Sequence, residues 1–127
     1  MKQNIYDVII AGAGTTAATL LAQYGHSVLL LERDKPPRFH IGESMLPMSE
    51  SVMNRLGIAW NEGNLKKGGA EFIDEVSGRR TFFPLQGKYR TFQAERSEFD
   101  KRLFDNALKH GVDARQQEQL IKVHCSA

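Results

Sequence analysis

Tyr6-Asp7-Val8-Ile9-Ile10-Ala11-Gly12-Ala13-Gly14 decides the fold, read together with the residues from there to Glu32. The β-branched run over 5–11 predicts a buried strand. Gly12-Ala13-Gly14 stops it. Residues 15–24 then carry a helical stripe at Ala17, Leu20, Leu21 and Tyr24, and Gly25 is placed to cap the helix end. Residues 27–31 predict a second buried strand, closed by Glu32. Strand, helix and strand within about 30 residues predict a parallel sheet with a right-handed crossover.

The chemistry begins in the loop between strand and helix. Gly12-x-Gly14-x-x-Ala17 lets the backbone approach a pyrophosphate, and the helix start offers unpaired N–H groups at a positive dipole end. Glu32 stands 20 residues after Gly12. A carboxylate there accepts hydrogen bonds from the ribose hydroxyls of an adenine dinucleotide. The plainer alternative is a tight turn followed by a solvent-capped strand end.

Beyond the first unit the pattern weakens. Pro36-Pro37 forbids helix within the loop over 33–43. A helix is expected over 47–56 with Met48, Val52, Met53 and Leu56 inward, and Trp60 reads as core with Ile58 and Leu56. Residues 61–69 read as a polar, glycine-rich loop. Short strands are expected over 71–73, 80–84 and 89–93, between turn signals at Gly78 and Gly87. A strong helix is predicted over 97–109, with Ser97 and Asp100 resembling a capping box and Phe99, Leu103, Ala107 and Leu108 apolar. Residues 112–114 and 120–124 complete the expected strands.

Composition narrows the classes. The 127 residues are 41% hydrophobic and 25% charged, which excludes disordered, collagenous and disulfide-scaffold chains. Lys and Arg number 17 against 15 Asp and Glu, and this balance gives no argument for nucleic acid. Cys125 stands alone, so no internal disulfide is expected, and His26, His40, His110 and His124 have no metal spacing. No apolar run is long enough for a membrane span, and the N-terminus lacks an export signal. A cytoplasmic protein is expected.

The residues also carry a resemblance. The glycine loop with Leu20-Leu21-Ala22-x-x-Gly25-x-x-Val28-x-x-x-Glu32-Arg33 resembles the FAD-binding start of flavoprotein monooxygenases. Pro36-Pro37-Arg38-Phe39-His40-Ile41-Gly42-Glu43-Ser44-x-Leu46-Pro47 resembles the branch of flavin-dependent halogenases and geranylgeranyl-reductase-like oxidoreductases. Lys67-x-Gly69-Ala70-x-Phe72 and Arg96-x-x-Phe99-Asp100 resemble later segments of that branch.

The resemblance implies an α/β fold, with a Rossmann-like FAD-binding parallel sheet, here incomplete, and a small antiparallel insertion. It implies strand–helix–strand over 5–32, loop and helix over 33–57, insertion over 58–95 and helix over 97–109. Gly12, Gly14 and Glu32 would hold the ADP half of FAD, with Arg33, Arg38 and Arg96 near its adenosine and phosphates. Gly42, Glu43 and Ser44 would lie toward the flavin. Lys67 would be catalytic, donating hydrogen bonds to a hypohalous acid and orienting it toward a small-molecule substrate. Each has a plainer alternative: solvated loop arginines, Ser44 as a helix cap, Lys66-Lys67 as a solvated pair.

One departure stands out. The family spacing, Gly-x-Gly-x-x-Gly-x-x-x-Ala-x-x-Leu-Ala-x-x-Gly, fits Ala18, Leu21, Ala22 and Gly25 only if three residues, commonly Pro-Ala-Gly, are missing after Gly14. Three residues are roughly 300° of helix and about 4.5 Å of rise. The helix would keep its apolar face to within about 60°, but lose part of the first turn and its N–H donors. Weakened FAD binding is expected.

Two alternatives remain open. The chain is an inactive fragment or nucleotide-binding remnant, or, taking the 20-residue spacing at face value, an NAD(P)-dependent Rossmann oxidoreductase. The resemblance covers about 6–112, the opening third of a usual member, so apolar strand edges and self-association are expected.

Overall fold

A computed structural model describes residues 5–59, 63–85 and 91–125. In chain order the elements are β1 (Val8–Ala11), α1 (Thr15–Gln23), β2 (Val28–Glu32), β3 (Glu43–Met45), α2 (Ser49–Leu56), β4 (Leu65–Lys67), β5 (Gly69–Ile73), β6 (Arg80–Pro84), β7 (Thr91–Ala94), α3 (Arg96–Lys109) and β8 (Asp113–Gln116). They fall into two units, one of Met1–His40 with Ser97–Ala127, the other Ile41–Arg96.

The first unit is the expected parallel sheet, with strand order β1-β2-β8. Val8 faces Val28 and Ala11 faces Leu31, while Leu29 faces Asp113 and Glu32 faces Gln116. The central strand β2 is buried on both faces at Val28, Leu29 and Leu30, which explains its unbroken apolar run. Its core joins Ala18, Val28, Leu30, Phe104, Ala107 and Val112, with Ile10, Leu21, Ala22 and Ala114 packed against it. Hydrogen bonds fasten the strand starts. Asp7 Oδ2 accepts from Ser27 N–H at 2.7 Å and from its hydroxyl at 2.8 Å, and these bonds hold the Asp7 carboxyl below its usual pKa. Tyr6 donates to Asp113 Oδ2 at 2.5 Å and accepts from Arg115 Nη2 at 2.9 Å.

The helix faces differ from the expected stripes. α1 buries Ala18 and Thr19, with Leu21 and Ala22 toward the core, whereas Tyr24 is the C-cap and points outward. The sheet meets the side that presents Ala18, Leu21 and Ala22, an i, i+3, i+4 set of small and medium residues. α3 buries Phe104 in place of Leu103 and Leu108. Its first residue is Arg96, so Ser97 lies in the first turn.

The second unit is antiparallel. β7 is the centre of β3-β7-β4, and β5-β6 form a separate hairpin. Two short strands differ from the expectation: β3 takes Glu43, the last residue of the loop read over 33–43, and continues to Met45, and β4 lies within the loop read over 61–69. Each is three residues long and exists because β7 offers an edge on either side. Met53, Leu56, Phe92 and Ala94 are buried in this unit, but Met48 is exposed, because it precedes α2 as its N-cap. The expected strand over 89–93 is β7, whose described residues begin at Thr91. Trp60 and Gly87 lie outside the described residues.

The expected last two strands also change. β8 runs Asp113–Gln116, and no strand forms over 120–124. The cause is Gln117, whose φ of 59° turns the chain out of the sheet.

Candidate functional site

The C-terminal ends of β1 and β2 open into a crevice of about 260 Å3, lined by residues 11–13, 31–33, Arg38 and 118–120. Parallel strands create such a place, because all their C-terminal ends and the loops beyond them lie on one side. The sequence-predicted Gly12, Glu32, Arg33 and Arg38 meet there.

The two glycines serve different ends. Gly12 has φ +94°, the left-handed region, and a Cβ on it would meet nothing within 4 Å. Its backbone conformation, not crowding, selects glycine. Gly14 is the reverse: a Cβ there would stand 2.4 Å from Ile10 Cγ2. It lets α1 begin hard against β1. Gly14 N–H donates to Gly12 C=O at 2.8 Å, and Gly14 C=O accepts from Ala18 N–H at 2.9 Å. The backbone N–H groups of Thr15, Thr16 and Ala17 thus precede the helical ladder. The N-cap makes no side-chain hydrogen bond, and the first turn holds no acid, so the helix itself sets no negative group at its positive end. α1 starts directly at Thr15, which is the short loop read from the sequence.

Glu32 is held in place. Its Oε1 accepts from Asp34 N–H at 2.9 Å, leaving the second carboxylate oxygen as an acceptor, and its backbone C=O accepts from Glu118 N–H at 3.1 Å. Asp34 also draws in both arginines, with Arg38 Nε at 3.0 Å and Arg33 Nε at 3.6 Å. These exposed pairs add little stability but gather two guanidiniums at the rim, a group suited to phosphate.

Glu118, Gln119 and Leu120 form a wall that the sequence pattern did not signal by itself. The available signal was topological: a chain leaving the end of a parallel strand emerges beside the same crevice. The turn at Gln117, a residue type with no strong left-handed preference, was not legible.

The remaining predicted residues lie in the second unit. Glu43 pairs with Arg96 at 2.9 Å. Gly42 passes close to β7, where a Cβ would stand 3.1 Å from the Ala94 carbonyl oxygen. Lys67 Nζ donates to Ser44 Oγ at 2.9 Å, and Ser44 donates to Gln93 Oε1 at 2.8 Å. Ser44 lies in β3, ahead of α2 whose N-cap is Met48, so it does not cap that helix. Gln93 was not singled out from the sequence. Among the described residues, no group of three or more His, Cys, Asp or Glu is placed to hold a metal, and no helix is long and apolar enough to cross a membrane.

The crevice suits one portion of an adenine dinucleotide. Pockets for whole drug-sized ligands run about 300–1,000 Å3, and this one, at about 260 Å3, is smaller. It combines a carboxylate acceptor and two guanidiniums with the backbone of the glycine turn.

Comparison with known proteins identifies the family and the fold. The sequence profile of the family described as tryptophan halogenase matches residues 7–84. The chain is 38% identical over 123 residues to the pyrrole-2-carbonyl peptidyl-carrier-protein brominase of Pseudoalteromonas luteoviolacea, covering 92% of this chain and 29% of the brominase. Its fold matches the myxobacterial chondrochloren halogenase CndH, an FAD-dependent halogenase, with a TM-score of 0.86 and 31% identity, over 98% of this chain and 31% of that one. It also matches a geranylgeranyl bacteriochlorophyll reductase-like protein of Thermoplasma acidophilum, with a TM-score of 0.72 and 25% identity, over 88% of this chain and 30% of that one. The chain thus spans about three tenths of these relatives' length.

Proposed function

The chain belongs to the tryptophan halogenase family, and from that premise we propose that its crevice seats the ADP half of FAD in a flavin-dependent halogenase or related oxidoreductase. The observation that carries the proposal is the convergence of Gly12, Glu32, Arg33 and Arg38 on one crevice, with the glycine turn on its wall leading straight into α1. When bound, FAD supplies the redox chemistry. This chain's residues bind and orient. Glu32 accepts from ribose hydroxyls, the first-turn N–H groups and Gly12 admit the pyrophosphate, and Arg33 and Arg38 balance its charge. Arg96 lies toward the ribose and phosphates, Gly42, Glu43 and Ser44 serve the flavin side, and Lys67 donates hydrogen bonds to a hypohalous acid. The substrate is a small molecule, free or tethered to a carrier protein as in the Pseudoalteromonas brominase's name. Of the two Rossmann readings, the flavin-dependent one is that of the family.

The short loop after Gly14 favours a second reading, an inactive nucleotide-binding remnant. Dialysis against FAD followed by an absorption spectrum separates them. Retained yellow absorbance supports flavin binding, and inserting Pro-Ala-Gly after Gly14 is expected to raise it. A chain that stays colourless with and without the insertion contradicts the flavin reading. Equal retention by both contradicts the loop argument.

The proposal extends to a cytoplasmic chain that self-associates through strand edges, since β1 and β8 are the outer strands of the described parallel sheet and Ile9 is 56% exposed. Sedimentation velocity across a concentration series tests this, and a monomer throughout contradicts it.

A further inference from the structure

We infer that Ser44 and Gln93 form a positioning pair for Lys67, fixing its ammonium by a hydrogen-bond chain whose direction Gln93 sets. The inference deepens the proposed function and rests on its reading of Lys67 as the residue that handles the oxidant.

Register makes the arrangement. Ser44 faces Gln93 across β3 and β7, and Lys67 faces Thr91 across β4 and β7. Alternation along each strand puts Ser44, Gln93, Thr91 and Lys67 on one face of this sheet. Phe92 and Ala94, on the other face, are buried. Lys67 reaches across β7 to Ser44 at 2.9 Å, and its carbonyl accepts from Thr91 Oγ1 at 3.2 Å, so both ends of the residue are tied to the same small sheet.

The chain of bonds has one polarity. A hydroxyl has a single proton to donate. Ser44 gives that proton to Gln93 Oε1 at 2.8 Å, so only a lone pair is left for Lys67. Ser44 is therefore an acceptor toward Nζ, and the lysine ammonium brings three protons of its own. One is used on Ser44. Two others stay available to a ligand. Holding one bond also limits a side chain that otherwise carries about 2 kcal/mol of rotamer entropy. Lys66, one residue away and on the opposite face, provides an internal standard.

The test is competitive acetylation of the full-length chain at pH 8, with Lys67 and Lys66 resolved by fragment-ion mass spectrometry. Ser44→Ala and Gln93→Leu are expected to raise the Lys67 to Lys66 labelling ratio roughly three- to fivefold, the range of an exposed charge-assisted contact. Ser44→Thr keeps the hydroxyl and is expected to restore the ratio. Unchanged backbone amide shifts at Thr91 and Phe92 confirm that the sheet stays folded in each variant. A ratio in Ser44→Ala equal to that of the parent chain, with the sheet intact, overturns the inference. Because labelling needs no flavin, the two ideas fail separately. Loosened Lys67 in a chain that binds no FAD supports the positioning pair and contradicts the flavin reading. Bound FAD with unmoved Lys67 does the opposite.

Discussion

At Gly14 the loop and the first strand touch so closely that a methyl group has no room, with Ile10 Cγ2 2.4 Å from where it would sit. Gly14→Ala is expected to cost about 1–3 kcal/mol, the usual range for overpacking. Ile10→Ala removes the opposing carbon. The double variant should therefore be less destabilised than the sum of the two singles, a non-additivity that urea titration of all four proteins measures. Asp7 gives a pH signature. Its native pKa is depressed by the Ser27 bonds, so its contribution is present above the ordinary carboxylate range, about 4, and is lost as pH falls through the lower native value. Asp7→Asn should be less stable at pH 6 and show a flatter loss between pH 5 and 3. Parallel acid limbs for the two proteins would refute this role. The glycine positions and Glu32 were legible from sequence because local spacing fixes them. Gln93 was not, since its bond to Ser44 spans 49 residues and depends on strand register.

Gln117 shows how one residue ends an element and shapes a site. Its φ of 59° ends β8, and the next residue, Glu118, donates its N–H to the Glu32 carbonyl, which brings 118–120 over the crevice. Glycine adopts that conformation freely, whereas a β-branched residue there is strained by about 1–3 kcal/mol. Gln117→Gly is expected to keep the parent stability and Gln117→Val to lose about that amount, read from urea midpoints. Element type was legible in the sequence where the period was long and local, as in β1, α1, β2 and α3. It failed for β3 and β4, because a three-residue strand has too little pattern to read and is made by its partner, β7. Lys67 consequently belongs to a strand with a defined face, and this placement turns a polar loop residue into a held one.

For the whole molecule, the sheet order β1-β2-β8 leaves β1 outermost among the described strands, with Ile9 exposed. Ile9→Lys is expected to reduce concentration-dependent association, since a charge on an edge strand discourages pairing. The central claim is that the crevice takes the ADP half of FAD, leaving the isoalloxazine outside it. Fluorescence anisotropy of FAD on titration with the chain, repeated with ADP or FMN as competitor, measures this directly. A saturable rise in anisotropy reversed by ADP and untouched by FMN, with affinity weakened about tenfold or more in Glu32→Ala, is the predicted result. Displacement by FMN but not by ADP, or saturable binding indifferent to Glu32, would contradict it.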